Sequence, residues 1–288
     1  MVFGSFSLNS EPPQIKRNLN EYTNLTYTAG DNLKPNAKIV NSWGQTFNDD
    51  GTKFFLVQTG TSNSNTFTLS RPYDLTSVTS AVAFTAATTA GSNWCAVSFS
   101  PDFRYYAGGS AGSILRIYRC ATRGVIGASD TVVTSISVGS APQSMGVLHG
   151  LSWTGQNYIF AIDALSVIAR FTFNESAGTV TFNTGQKVDY GTNSNQRSLT
   201  VNISGTQMFM TNNQGSTKEM YTIYLRVPYD LTSYVTTYGL INLGPLITDP
   251  PASFILSEVC FNPDMTRVYI GDYSTTTANT RVYQLRVK

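Results

Sequence analysis

The chain repeats itself, and that constrains its fold more than any other feature. Phe47-Asn-Asp-Asp-Gly-Thr-Lys-Phe-Phe-Leu-Val aligns with Phe99-Ser-Pro-Asp-Phe-Arg-Tyr-Tyr-Ala and with Phe261-Asn-Pro-Asp-Met-Thr-Arg-Val-Tyr-Ile. Val201-Asn-Ile-Ser-Gly-Thr-Gln-Met-Phe-Met fits without a gap, and Trp153-Thr-Gly-Gln-Asn-Tyr-Ile fits with a tighter turn. By subtraction, the anchors at 47, 99, 153, 201 and 261 stand 52, 54, 48 and 60 residues apart, giving five units of about fifty residues. A unit of that size cannot bury its own apolar face, so successive units must pack on one another.

Each unit reads as four strands. An apolar run such as Cys95-Ala-Val-Ser-Phe99 ends at the anchor, and a short Asp/Gly/Pro turn follows. A second strand comes next, as at Phe54–Val57, Tyr105–Ala107 and Val268–Ile270. The third alternates strongly, as in Ile114-Leu-Arg-Ile-Tyr-Arg, and the fourth is rich in Thr, Ser and Val, as at Ser77–Phe84 and Thr131–Val138. Period-two alternation, β-branched and aromatic enrichment and bounding turns are the marks of strands. Four strands per unit at this period predict an all-β, five-bladed β-propeller of four-stranded blades.

The ends point the same way. The chain stops at Gln284-Leu-Arg-Val-Lys288, which matches the end of a third strand at Tyr224–Val227. Unit four continues into Pro228-Tyr229-Asp230-Leu231-Thr232-Ser233, whereas the missing continuation of unit five resembles Asn18–Tyr27. The N-terminal strand is therefore expected to complete the C-terminal blade and close the ring, pairing edges otherwise exposed. Residues 18–288 form the propeller in this reading, and residues 1–17, with Pro12-Pro13 and Lys16-Arg17, form an extended arm.

Two turns between third and fourth strands are nearly identical: Leu69-Ser-Arg-Pro-Tyr-Asp-Leu-Thr-Ser77 and Leu225-Arg-Val-Pro-Tyr-Asp-Leu-Thr-Ser233. Pro72 and Pro228 fix φ in them, and Asp74 and Asp230 bond nearby backbone N–H groups. Gly51 supplies the positive-φ position of the first hairpin. With the Phe47–Lys53 hairpin, these turns resemble the propeller repeats of uncharacterised structural proteins of bacteriophages, marine ones in particular, over about residues 18–288. Units two and three depart at Tyr118–Thr122 and Phe173–Ser176, which lack the Pro-Tyr-Asp-Leu turn. The resemblance implies a virion protein and carries over no catalytic residue.

Composition narrows the chemistry. The 288 residues hold 19 Lys+Arg and 17 Asp+Glu, for a net charge of +2, too neutral for a surface that tracks polyphosphate, so no nucleic acid is expected. One histidine, His149, excludes most multi-His metal sites and reads as a core or channel residue. Cys95, Cys120 and Cys260 form no C-x-x-C pair, and no metal or cofactor is expected. The N-terminus carries no signal-peptide pattern, and the most apolar segment, Ile159–Phe173, is broken by Asp163 and Arg170, so no membrane insertion is expected. Arg116, Arg119, Arg170, Arg226, Arg281 and Arg286 on the third strands read as solvated or as partners of Asp/Glu. Asp102 and Asp264 read as turn residues. The Asp49–Thr52 loop partly resembles a sialidase Asp box but lacks its leading Ser/Thr.

Binding residues concentrate on variable loops held by a rigid scaffold. Here those are Thr85–Trp94, Gly139–Gly150, Tyr190–Arg197, Gly244–Ser257 and Gln214–Tyr221. Within or beside them Trp94, Tyr190, Asn193, Asn195, Arg197 and Tyr273 combine flat faces with hydrogen-bonding groups suited to a sugar ring. A glycosidase would need two carboxylates; of the five Glu residues Glu258, entering an inner strand, could in principle face the axis, as could Asp163 at a loop, and no catalytic signature supports the pair. With no catalytic signature, the expected function is a non-enzymatic bacteriophage virion structural protein, made in the host cytoplasm. It would decorate the head or tail, or form a fibre-type component, bound to other virion proteins through the N-terminal arm and touching host-surface glycans. The alternatives are a glycan-degrading propeller enzyme and a soluble sugar-binding lectin.

Overall fold

A computed structural model describes residues 25–33, 42–58, 64–84, 94–140, 142–155, 157–189, 197–212, 218–248, 250, 255–272 and 281–287. The protein is all-β: five four-stranded antiparallel sheets arranged as a five-bladed propeller. Blade one comprises Ser42–Phe47, Lys53–Gln58, Ser64–Leu69 and Val78–Phe84. Blade two comprises Trp94–Phe99, Tyr105–Ser110, Ile114–Arg119 and Thr131–Ser137; blade three, Leu148–Thr154, Tyr158–Asp163, Val167–Asn174 and Thr179–Asp189. Blade four comprises Thr200–Val201, Gln207–Asn212, Glu219–Leu225 and Tyr234–Asn242. In blade five, Leu256–Phe261, Arg267–Asp272 and Val282–Val287 are completed from the N-terminal side by two short strands, Leu25–Thr26 and Asn32–Leu33.

The ring closes as expected, with one extension. Leu25 and Thr26 pair with Val287 and Arg286, and after a turn Asn32 and Leu33 pair with Tyr283 and Val282 of the same strand. The arm expected at residues 1–17 lies outside the described residues.

The apolar core is divided among the interfaces between blades. Phe55 and Val57 of blade one meet Trp94, Tyr106 and Tyr118 of blade two; Ala107 and Leu115 of blade two meet Leu151 and Phe171 of blade three. Phe160 and Ile168 meet Met208 and Ile223; Phe209 and Met220 meet Val259 and Tyr283; Tyr269 and Val282 return to Phe47, Phe54 and Phe67. Each interface is thus a two-layer sandwich of strand faces, which is why Tyr and Phe recur with the period of the repeat.

Polar bonds staple the innermost strands. Ser98 Oγ accepts from Trp153 N at 2.9 Å, Ser152 Oγ accepts from Val201 N at 2.9 Å, and Thr200 Oγ1 donates to Val259 O at 2.6 Å. The buried Gln45 amide closes blade five to blade one by donating to Glu258 O and Tyr269 O. Gly44 allows a close approach of blades one and two: a Cβ there would lie 2.8 Å from Ala96 Cα.

On one face lie the repeat turns. Tyr73 and Tyr229 take φ of 57° and 61°, a strained region for a non-glycine residue. Each donates its backbone N–H to the hairpin glycine carbonyl, Gly51 or Gly205, and lays its ring where that glycine's Cβ would be, 2.3 Å from the nearest ring atom. The phenols anchor on Asp49 O and Ile203 O. Asp74 and Asp230 cap the following 3-10 turns by accepting from Thr76 N and Thr232 N. The tyrosine carbonyls then receive the preceding blade: Arg267 and Tyr269 donate to Tyr73 O, and Arg170 donates to Tyr229 O. Arg119 bonds the Tyr105 hydroxyl and stays exposed, as expected of a solvated group, and Arg170, bonded to Tyr229 O, also lends its charge to Asp230.

Candidate functional site at the mouth of the axial channel

The opposite face is built by a defect repeated in the innermost strands. Pairing with the second strand slips between Ser42 and Gly44, Trp94 and Ala96, Leu148 and Gly150, and Leu256 and Val259. A bulge leaves the extra residue off the ladder and re-aims its side chain. The residues skipped are Trp43, Cys95, His149 and the pair Ser257–Glu258. Arg197 holds the corresponding place in blade four, so the residues four positions before each repeat anchor form one set.

Three of them converge. The Trp43 and His149 rings, from blades one and three, meet edge to face with centroids 4.6 Å apart. The Arg197 guanidinium of blade four lies over Trp43, with Cζ 4.8 Å from the ring centroid. Burial pushes the Cys95 thiol of blade two up to about 12, with Arg197 pulling the other way, so Cys95 is no nucleophile at neutral pH.

Glu258 sits between the innermost strands of blades five and four. It is 3% exposed, and burial holds its carboxyl well above the usual range against one stabilising bond from the Leu199 backbone. Its Oε2 has no hydrogen-bond partner among the described residues. Burial of this kind favours the protonated form of a carboxyl over the charged one.

Asp163, the other carboxylate the sequence offers for the axis, does another job. Its Oδ2 accepts from Gly146 N at 2.7 Å, and its Oδ1 accepts from Leu165 N and Val167 N at 2.9 and 2.8 Å. These bonds bind the carboxylate to two loops, which corrects its reading as a group facing the axis. The equivalent residue of blade five, Asp272, was not singled out from the sequence, although Phe160-Ala-Ile-Asp163 and Tyr269-Ile-Gly-Asp272 end matching strands. Asp272 accepts one bond, from Ile255 N at 2.9 Å, and its Oδ2 has no partner among the described residues. Burial pushes its carboxyl up to about 7, against the pulls of that backbone bond and of the Lys218 and Arg281 charges.

Of the expected sugar-binding residues, Trp94 is 5% exposed and packs on Tyr106 and Tyr118 with centroids 5.7 and 5.1 Å away, filling the interface of blades one and two. Its faces are therefore taken by packing, which corrects its assignment to a ligand. Arg197 belongs to the axial set. Tyr190, Asn193, Asn195 and Tyr273 lie outside the described residues. Among the described residues no group of three His, Cys, Asp or Glu side chains is placed to hold a metal ion, and no helix is long and apolar enough to cross a membrane.

No family model matches this chain, and no curated protein does. Solved structures do. A luciferin-regenerating enzyme is 10% identical over 91% of this chain and 94% of its own, with a TM-score of 0.50. A protein from Lactobacillus plantarum is 12% identical over 85% of this chain and 70% of its own, with a TM-score of 0.49. A putative 6-phosphogluconolactonase from Bacteroides uniformis is 16% identical over 83% of this chain and 66% of its own, with a TM-score of 0.48. At these identities the likeness is one of fold. The end-to-end match to a protein named as an enzyme corrects the expectation of a purely non-enzymatic scaffold: the architecture is one on which enzymes are built. The chain is a five-bladed β-propeller whose innermost strands bring together an arginine, an indole and an imidazole, with a buried carboxyl, Glu258, on the innermost strand of blade five.

Proposed function

We propose that this protein is a glycan-degrading propeller enzyme working by carboxyl acid–base chemistry at the mouth of the channel. The observation that carries this reading is Glu258, a carboxyl pushed well above the usual carboxylate range by burial on an innermost strand, with one oxygen unpartnered among the described residues. Glu258 gives its proton to the glycosidic oxygen as the C–O bond breaks. Asp272, poised near neutrality, takes a proton from the water that forms the new bond.

The test is incubation with host-type polysaccharides and measurement of newly formed reducing ends. Glu258→Gln keeps the shape of the side chain and removes the acid, so release should fall by roughly two orders of magnitude or more. Release by the variant at the unmodified rate would sink the reading. The virion setting and the anchoring arm rest on the repeat resemblance, and they make a host-surface glycan the natural substrate. Deleting residues 1–17 should abolish incorporation into particles while leaving the fold intact, and normal incorporation would remove the arm from the account.

A further inference from the structure

The Ser257–Glu258 bulge opposes a single residue, Gly271, where a Cβ would lie 2.4 Å from Ser257 Oγ and 3.4 Å from Glu258 N. Residues that leave a ladder give up its hydrogen bonds, and their backbone groups need partners elsewhere. Here the neighbouring blades supply them. Thr211 Oγ1, on the second strand of blade four, donates to Ser257 O at 2.6 Å. Gln45 Nε2, on the innermost strand of blade one, reaches Glu258 O at 3.3 Å, and Thr200 Oγ1 of blade four donates to Val259 O at 2.6 Å. Three successive carbonyls of blade five are therefore held by side chains from both flanking blades.

The Thr211 hydroxyl has one proton, and it goes to Ser257 O. Its 3.0 Å bond with Ser198 Oγ must then run from serine to threonine, a directed chain from Ser198 through Thr211 to Ser257 O. The Thr211 N–H returns to Ser198 Oγ at 3.2 Å and fixes the pair, and both residues are fully buried. Residues 198, 199 and 200 thus face 257, 258 and 259 in order: Ser198 through Thr211, the Leu199 backbone on the Glu258 carboxyl, and Thr200 on Val259 O. The Cys260 thiol, two residues along the same strand, is the titratable group that feels the Glu258 charge.

We propose that Thr211 is the positioning residue of Glu258: with Ser198 it fixes the bulge so that the carboxyl stays turned toward Leu199 and out of water. The catalytic consequence rests on the acid reading above; the positioning itself rests on the hydrogen bonds. The test uses the full chain labelled with carbon-13 at the glutamate carboxyls. It gives one signal for each of the five Glu residues, and Glu258 is the one missing from Glu258→Gln. In the unmodified chain this signal should titrate above the other four. Thr211→Val keeps the shape and removes the hydroxyl, and should lower the midpoint by at least about one pH unit, a tenfold loss of proton affinity. Thr211→Ser restores the donor and should restore the midpoint. Ser98→Ala, which cuts a bond between blades two and three, should leave it unmoved. Because a general acid must carry its proton, the alkaline limb of reducing-end release should move down in pH together with the midpoint. A folded Thr211→Val that titrates as the unmodified chain does, or a Glu258 signal that titrates with the other four, overturns the proposal. Should Thr211→Val not fold, Ser198→Ala breaks the same chain at its far end, and an unmoved midpoint there is equally fatal. If the unmodified chain releases no reducing ends, the acid reading falls, and the titration still decides the positioning.

Discussion

Asp163 and Asp272 end the second strands of blades three and five, at the same place in the repeat, and their surroundings have turned them into different groups. Both are fully buried. Asp163 is saturated by three backbone N–H groups that fasten the loops on either side of it. Asp272 keeps one such bond, and burial raises its carboxyl to about 7. One position in the repeat thus yields a structural clamp in one blade and a titrating group in another, and the number of backbone donors makes the difference. A buried carboxylate is tolerable when its lone pairs are filled, and otherwise it takes up a proton.

The contrast can be broken most directly at the clamp. Asp163→Ala strips the acceptor from three N–H groups, that of Val167 fully buried, and is expected to cost about 2–4 kcal/mol in urea unfolding. Asp272→Asn should cost less than about 1 kcal/mol at pH 8, where the native carboxyl is charged and poorly solvated. A large loss at Asp272 and a small one at Asp163 would invert the comparison.

Titration sharpens it further. The raised carboxyl of Asp272 binds its proton more tightly in the folded than in the unfolded chain. Its contribution to stability is therefore complete below the unfolded value of about 4 and disappears as pH rises through about 7. At ~1.4 kcal/mol per pH unit this amounts to ~4 kcal/mol between pH 4 and 8. In melting curves the decline should flatten in Asp272→Asn and persist in Asp163→Asn.

Smaller effects carry the comparison to the opposite face and to the innermost strands. Gly205→Ala, at φ +68° and with its Cβ driven into the Tyr229 ring, should cost about 1–3 kcal/mol without touching activity. Ser152→Ala removes the acceptor for Val201 N and should cost about 1 kcal/mol, measured by denaturant midpoint. If Gly205→Ala lowered turnover as much as Glu258→Gln, the two faces would not be functionally separate.

Much of this was legible beforehand because it is periodic. The five anchors and the Pro-Tyr-Asp-Leu-Thr-Ser turns announced blade number, strand count and closure, and Trp43, Cys95, His149, Arg197 and Ser257 were countable from the same anchors. Their meeting was not, because each is an ordinary residue until a bulge turns it off its ladder. Trp94 misled for a related reason: it opens a strand beside a long loop, yet its ring is claimed by Tyr106 and Tyr118 of its own blade. Glu258 was visible as one of few acids, but its protonation depends on burial between two blades.

The sequence by itself determined the architecture, since a fifty-residue period of four alternating strands has few ways to bury its aromatic faces other than a closed ring. Only the tertiary structure decided which of the repeated positions differ in chemistry. Solvation and hydrogen bonding depend on neighbours more than a hundred residues away, as when Gln45 bonds the backbone of Glu258, and no local pattern encodes them.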